Sequence, residues 1–428
     1  MNKESLRNIL TTQKIDLLRS SSRHYLARDL DLSKHLDEEE VTIISGVRRS
    51  GKSSLLEQFV KSVHELESLI YINFEDPQLI DFKPEDFVKV YEIWLEKNAS
   101  ANLRVALFDE IQNVEGWERW INFFSKQKGF KVFISGSNSN LLSSELGTHL
   151  TGRHRTFTLY PLSFKEIFFN LPTRIKIDQH GVNQEDRVLL EELTRQYLEI
   201  GGFPRAWITK DTSILAEYYS DILIRDIAKR KRVKNILALE MLGLNLMSNI
   251  GRKINKTKLA SSIGLQKGDT VEKYVGYFEE CYLGIQVRKY DSSVRRQLRN
   301  QPKFYAVDPA LAMRAGISSD SKATFYFENL VLLELLRRGG KVYYWSSDSA
   351  EIDFIVETKD RKRELVQVCW SLEEESTLKR ELKGFSEFSN AFKELRIHRR
   401  TILTFEGETR EFSEGVLSMP FYQWALLA

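Results

Sequence analysis

Val41-Thr42-Ile43-Ile44-Ser45, running into Gly46-Val47-Arg48-Arg49-Ser50-Gly51-Lys52-Ser53, is the stretch whose reading decides the fold. The first five residues are a short apolar run bounded by a turn signal, the pattern of a buried strand. The next eight match G-x-x-x-x-G-K-[ST] in full, and Lys52–Glu67 continues as a helix. Glycines let the backbone wrap a phosphate, and N–H groups at a helix N-terminus favour negative charge there. The residues expected to cradle a nucleotide are Gly46, Val47, Arg48, Arg49, Ser50, Gly51, Lys52, Ser53 and Ser54. In that reading Lys52 reaches the β- and γ-phosphates of ATP and Ser53 holds Mg²⁺.

Outward from this stretch the texture repeats. Short β-rich runs, Leu69–Asn73, Val105–Phe108, Lys131–Ser135 and Thr156–Leu159, alternate with helical segments Pro84–Asn98 and Trp117–Lys128. Near-continuous apolar strands between helices imply a mostly parallel α/β sheet over residues 41–160. The strand Leu103–Phe108 ends in Asp109-Glu110. Asp109 is expected to complete the Mg²⁺ shell and Glu110 to activate water as a general base. Ser137 and Asn138, at the tip of the next strand, are candidates to orient the γ-phosphate or its water. Arg153 is a candidate arginine finger, in cis or in trans.

Other boundaries come from pattern changes. Residues 1–40 read as a separate charged, helical segment. Residues 161–236 read as a helical lid with a break at Gly201-Gly202-Phe203-Pro204. Residues 237–302 carry helix-turn-helix spacing, Lys256–Ile263 then Thr270–Cys281. Gln266, Lys267, Thr270 and Lys273 are its candidate DNA contacts, with basic stretches Arg225–Lys234 and Val294–Lys303 for phosphates. Residues 303–428 form a second α/β pattern.

The chain has 428 residues, enough for two or three domains. Lys plus Arg number 63 against 60 Asp plus Glu, so no global pull toward nucleic acid or membrane is expected and any such role rests on a local patch. Two cysteines, Cys281 and Cys369, exclude a disulfide scaffold. The longest uncharged run, Gly415–Ala428, is too short for a bilayer. No secretion signal is read at the N-terminus, so a cytoplasmic protein without membrane contact is expected.

Taken together the motifs resemble the large prokaryotic family of AAA-type ATP-binding proteins with a C-terminal restriction-endonuclease-like domain. The matching pieces are Ser45–Ser53, Leu107–Gln112 with Trp117, Ser135–Ser137, Leu150–Arg153, Tyr160–Phe164, Gly201–Pro204, Lys303–Asp308, Phe327–Asn329 and Glu351–Phe354. The resemblance implies an ATPase core, a helical lid, a winged-helix-like module and a nuclease-like fold of the PD-(D/E)xK type. It also places Asp353, Gln367 and Cys369 where such folds carry Asp, Glu and Lys, with Glu328 as an additional acid. A neutral Gln and a Cys cannot supply the lost charge and the lost lysine, so this domain is expected to be nuclease-inactive.

The expected activity is therefore Mg²⁺-dependent ATP binding and hydrolysis, serving a switch or a remodelling ATPase. One alternative is a slow-turnover nucleotide sensor whose output is binding double-stranded DNA or a protein. A second is a Mg²⁺-dependent nuclease with an atypical site.

Overall fold

The computed structural model describes residues 1–20, 25–62, 68–101, 103–126, 130–139, 153–172, 175, 182–317 and 323–427. The chain divides into two compact units, Met1–Tyr160 with Glu280–Tyr282, and Pro161–Glu279 with Leu283–Ala428.

The first unit is a five-stranded parallel sheet in the order β2-β3-β4-β1-β5. Its strands are β1 (Val41–Ser45), β2 (Leu69–Asn73), β3 (Arg104–Asp109), β4 (Phe130–Gly136) and β5 (His154–Thr158). Helices α1 (Lys3–Ser20), α2 (Lys52–Ser62), α3 (Asp86–Asn98) and α4 (Glu118–Lys126) cover it. Strands β1–β4 alternate their side chains between two apolar layers, as a sheet buried on both faces requires, while β5 is a half-exposed edge. Val41, Ile43, Ile70, Ile72, Ala106 and Phe108 pack toward α1, α3 and α4. Ile44, Leu69, Tyr71, Val105 and Leu107 pack toward α2.

The expected segment 1–40 is corrected by this packing. Leu6 and Ile9 of α1 lie in the same core as β1–β3, so α1 is part of the first unit rather than a separate piece. Beyond α1 the described residues are mainly irregular, with one short 3₁₀ turn at Leu32–His35. The expected ends of two helices, residues 63–67 and 127–128, lie outside the described residues, as do Leu150, Thr151 and Gly152.

The second unit opens with helices: α5 (Phe164–Phe169), α6 (Gln184–Ile200), α7 (Pro204–Thr209) and α8 (Ile214–Asp221), which runs on into a π-helical stretch, Ile222–Lys229. A capping box, Ser163 with Glu166, starts α5. Three helices follow, α9 (Ile236–Ser248), α10 (Lys256–Ser262) and α11 (Gly268–Glu280). Then comes a mixed eight-stranded sheet, β12-β13-β11-β10-β9-β8-β6-β7. Its strands are β6 (Gly284–Lys289), β7 (Lys303–Ala306), β8 (Lys341–Ser346), β9 (Glu351–Glu357), β10 (Arg363–Cys369), β11 (Arg399–Thr404), β12 (Arg410–Phe412) and β13 (Val416–Pro420). Around these strands run α12 (Val294–Arg299), α13 (Pro309–Ala315), α14 (Ala323–Arg337), α15 (Glu375–Ala391) and α16 (Phe421–Leu426).

The boundary expected between residues 302 and 303 is also corrected. It falls inside an antiparallel pair, β6 with β7, in which Val287 faces Lys303 and Gly284 faces Ala306. Strand β6 in turn pairs in parallel with β8. One hydrogen-bonded sheet thus joins the segments that the pattern change had separated.

Candidate nucleotide site

Ser45 ends β1 and the chain turns at once into Gly46. No side chain fits at Gly46: a Cβ there would collide with the carbonyl oxygen of Leu159. Further round the loop Arg49 and Gly51 take φ of 70° and 99°. Glycine adopts that conformation freely and arginine at a cost. Helix α2 then starts at Lys52, so its N-terminal N–H groups close the loop. Arg28 braces the loop from outside, donating to Ser50 O at 3.2 Å and to Tyr160 O at 2.7 Å.

Lys52 is buried, at 4% exposure. Its ammonium donates to Gly46 O at 3.1 Å and Val47 O at 3.2 Å, and pairs with Glu110 Oε1 at 3.4 Å. The parallel register sets β3 and β1 on either side of β4, so Asp109-Glu110 and the loop meet at the same sheet edge. Asp109 is fully buried. Its Oδ1 accepts from Ser135, while Oδ2 has no hydrogen-bond partner. Burial first, and then the neighbouring Glu110 charge, push this carboxyl up to about 6, against the opposing pull of Ser135, Ser53 and Lys52.

Glu110 sits in the left-handed region, φ 52° and ψ 45°. Such strain in a non-glycine persists where the surroundings over-determine it. Burial would raise its carboxyl, but Lys52, Gln112, Arg48 and Ser137 outweigh burial and hold it below the ordinary glutamate range. Ser137 donates to Glu110 Oε2 at 3.1 Å and Gln112 donates to the same oxygen. The arrangement is an ionised base, fixed by two donors, beside a buried ammonium.

The structure thus brings Lys52, Asp109, Glu110 and Ser137 together with Ser53. Asn138 is buried next to Ser137 in the chain. Arg48 forms an ion pair with Glu75 at 2.8 Å. Ser54 is half-buried within the first turn of α2. Arg153 is not brought in. Its carbonyl accepts from Val41 N at the start of β1, and its side chain is exposed. The five residues of β1, about 16 Å of strand, separate it from the loop, so within one chain it does not reach the site. Ser135, Gln112, Arg28 and Tyr282 are contacts the sequence reading had given no role. Gln112 was visible as the polar residue two places after Glu110; Arg28 and Tyr282 lie too far along the chain to carry a local signal.

In the second unit several acids also converge, around a lysine. Lys303, 5% exposed, pairs with Glu328 Oε1 at 3.1 Å and Glu351 Oε1 at 2.8 Å. Tyr305 donates to the same Glu328 oxygen at 2.5 Å. Gln367 bridges two backbones, accepting from Asp353 N at 2.8 Å and donating to Glu351 O at 2.9 Å. Asp353 accepts from Val368 N at 2.8 Å, and burial followed by Glu328 raises its carboxyl well above the usual range. Burial, then Glu381 and Asp353, push the Cys369 thiol up to about 12, which leaves it an inert buried thiol. Both cysteines are free and buried. Among the described residues no three His, Cys, Asp or Glu side chains are grouped to hold a metal. The Lys303 ammonium pairs with two of these carboxylates, Glu328 and Glu351, and not with Asp353.

The comparisons with known proteins agree with the first unit's geometry. An AAA domain matches residues 38–168. Two domains of unknown function match further along the chain, DUF8612 over residues 191–321 and DUF4143 over residues 323–424. An uncharacterized protein of Haemophilus influenzae is 33% identical over 367 residues, covering 83% of this chain and 88% of that one. An uncharacterized protein of Methanocaldococcus jannaschii is 30% identical over 425 residues, covering 93% and 90%. The chain belongs to the family of these proteins. The AAA-domain match takes in Lys52, Ser53, Asp109, Glu110 and Ser137, while Arg28 and Tyr282 lie outside it. The DUF8612 match takes in β6 and β7 together, in keeping with their pairing, and the DUF4143 match names no fold and no activity. Among solved structures the Aeropyrum pernix ORC1 protein in complex with DNA is 13% identical, covers 72% of this chain and 91% of that one, and has a TM-score of 0.30. Cdc6p from Pyrobaculum aerophilum is 11% identical, with 75% and 93% covered and a TM-score of 0.25. Overlaps at that level carry no weight here. Among the described residues no helix is long and apolar enough to cross a membrane.

Proposed function

We propose that the chain is a Mg²⁺-dependent ATPase whose nucleotide state switches the rest of the molecule. The convergence of Lys52, Asp109 and Glu110 on one buried edge carries this reading. The backbone N–H groups of Gly46–Ser53 and the start of α2 take the triphosphate. Lys52, whose ammonium donates to two loop carbonyls, sets its charge against the β- and γ-phosphates. Ser53 and Asp109 are the residues that would hold Mg²⁺, and the unpartnered, buried Asp109 Oδ2 is the kind of oxygen a hard cation satisfies. When bound, Mg²⁺ neutralises phosphate charge and draws electrons from the bond being broken.

Glu110 takes a proton from the attacking water. The water oxygen bonds to the γ-phosphorus, the bridging oxygen leaves with ADP, and the proton rests on Glu110. The Lys52–Glu110 ion pair couples the two roles. An arriving phosphate competes for the ammonium and releases the carboxylate to act as base. That competition is the switch. Ser137 and Gln112 keep the carboxylate in place while its partner changes.

The test is ATP turnover by the full chain beside Lys52→Ala and Glu110→Gln, with and without double-stranded DNA. Turnover lost by a factor of about 10² or more in both variants supports the reading. Wild-type turnover equal to that of Lys52→Ala overturns it.

A second reading, a nucleotide-gated DNA-binding module of winged-helix type, is favoured by exposed polar and basic side chains. Gln266 and Lys267 are exposed just before α11 and Lys273 in its second turn, and Arg295, Arg296 and Arg299 are exposed on α12 between β6 and β7. DNA-stimulated turnover supports this reading; indifference moves the weight to a protein partner. The nuclease alternative is disfavoured by Gln367 and Cys369, and Mg²⁺-dependent cleavage lost in Asp353→Ala is the result that would restore it.

A further inference from the structure

Helix α11 ends in a conformation its sequence does not favour. Leu283 N donates to Phe278 O at 2.8 Å, the long bond of a helix end that turns through one left-handed residue. That left-handed residue is normally glycine, which has no Cβ to clash. Here it is Tyr282, with φ 57°. A tyrosine held in this region needs something else to fix it.

Its hydroxyl supplies the reason. Tyr282, which groups with the first unit, shares a hydrogen bond of 2.6 Å with Ser45 Oγ, 237 positions away in sequence. Burial pushes the phenol up to about 12, so it keeps its proton across the working pH range. Ser45 is itself fully buried and is the last residue of β1. Its carbonyl accepts from Leu159 N at 2.6 Å. The next residue, Gly46, donates to Gly136 O at 3.3 Å, has no room for a Cβ, and gives its carbonyl to Lys52 at 3.1 Å. A short relay of fixed contacts therefore runs from the Tyr282 hydroxyl through Ser45 and Gly46 to the Lys52 ammonium.

We propose that Tyr282 is a positioning residue of the nucleotide site, holding Ser45 and through it the entry to the Gly46–Ser53 loop. The inference rests on the reading of that loop as the ATP site. It requires a residue far from the motif in sequence and invisible to any local pattern. The role is distinct from Glu110's, because Tyr282 touches no reacting group.

The test is steady-state ATPase kinetics of the full chain, comparing wild type, Tyr282→Phe, Ser45→Ala, the double variant and Lys52→Ala. Phenylalanine keeps the ring and loses only the hydroxyl. The expected result is a KM for ATP raised about three- to tenfold in each single variant, with kcat within about twofold of wild type. The double variant should be no worse than Tyr282→Phe alone, which removes the Ser45 bond together with the hydroxyl's contact to Thr158. An unchanged KM in Tyr282→Phe, or effects that multiply in the double variant, overturns the inference while leaving the ATP reading intact. Wild type indistinguishable from Lys52→Ala brings down the ATP reading and this inference together.

Discussion

At the scale of single residues the site is held in tension. Asp109 is a carboxyl with an ordinary value of 3.8 pushed up to about 6, chiefly by burial. The folded chain therefore binds this proton more tightly than the unfolded chain. Stability from the group is present below pH about 4 and is lost as pH rises through about 6. At neutral pH the ionised carboxylate costs up to about 3 kcal/mol. Asp109→Asn should accordingly stabilise the fold near pH 7, by no more than that amount, while abolishing turnover. Chemical denaturation of both proteins from pH 4 to 7 checks it. A variant less stable than wild type at pH 7 would show that the aspartate contributes to the fold rather than straining it. Glu110 adds a second tension, a left-handed backbone. Neither is legible from the dipeptide Asp109-Glu110. The chemistry of the pair was; its strain depends on burial, which only the packed sheet supplies.

At the scale of elements, strands were read more accurately than connections. Val41–Ser45 and Leu69–Asn73 are strands over the residues expected, because an apolar run between turn residues has few other stable fates. β6, β12 and β13 were missed. β6 mixes charge with apolar residues and is paired through distant β7 and β8. The break at Gly201-Gly202 was seen, but its cause was not. Gly201, at φ 78°, ends α6, and a Cβ there would press into the Asp308 carboxylate, which also accepts from Gly202 N at 2.7 Å. Gly201→Ala should lose about 1–3 kcal/mol. Urea unfolding measures that loss, and a change within 0.5 kcal/mol, about the scatter of a neutral surface substitution, would refute the account.

At the scale of the whole molecule the two units differ in how local their logic is. The first is one sheet with a helix-covered core, read almost directly from alternation. In the second, one sheet continues from the β6–β7 pair into the DUF4143 residues, and Lys303 sits at the junction against Glu328 and Glu351. Removing one partner of a buried ion pair leaves charge uncompensated. Lys303→Met should therefore destabilise the second unit by about 3–5 kcal/mol. It should do so in a single transition that takes β6–β7 and β8–β11 together. Hydrogen exchange at increasing denaturant resolves this. Separate opening of the two segments would restore the boundary at residue 302.

By itself the sequence determined the strand–loop–helix at Val41–Ser62 and the acid pair that ends β3 at Asp109-Glu110. These are local facts: a motif fixes its own backbone because glycine, lysine and strand propensity act over a few residues. The tertiary structure decided that Lys52 faces Glu110, that Arg153 stands at the far end of β1, that Lys303 fills the carboxylate cluster, and that Tyr282 reaches Ser45. Each of these depends on which strands become neighbours. Sheet order is set by the burial of whole faces, and no window of sequence contains a face.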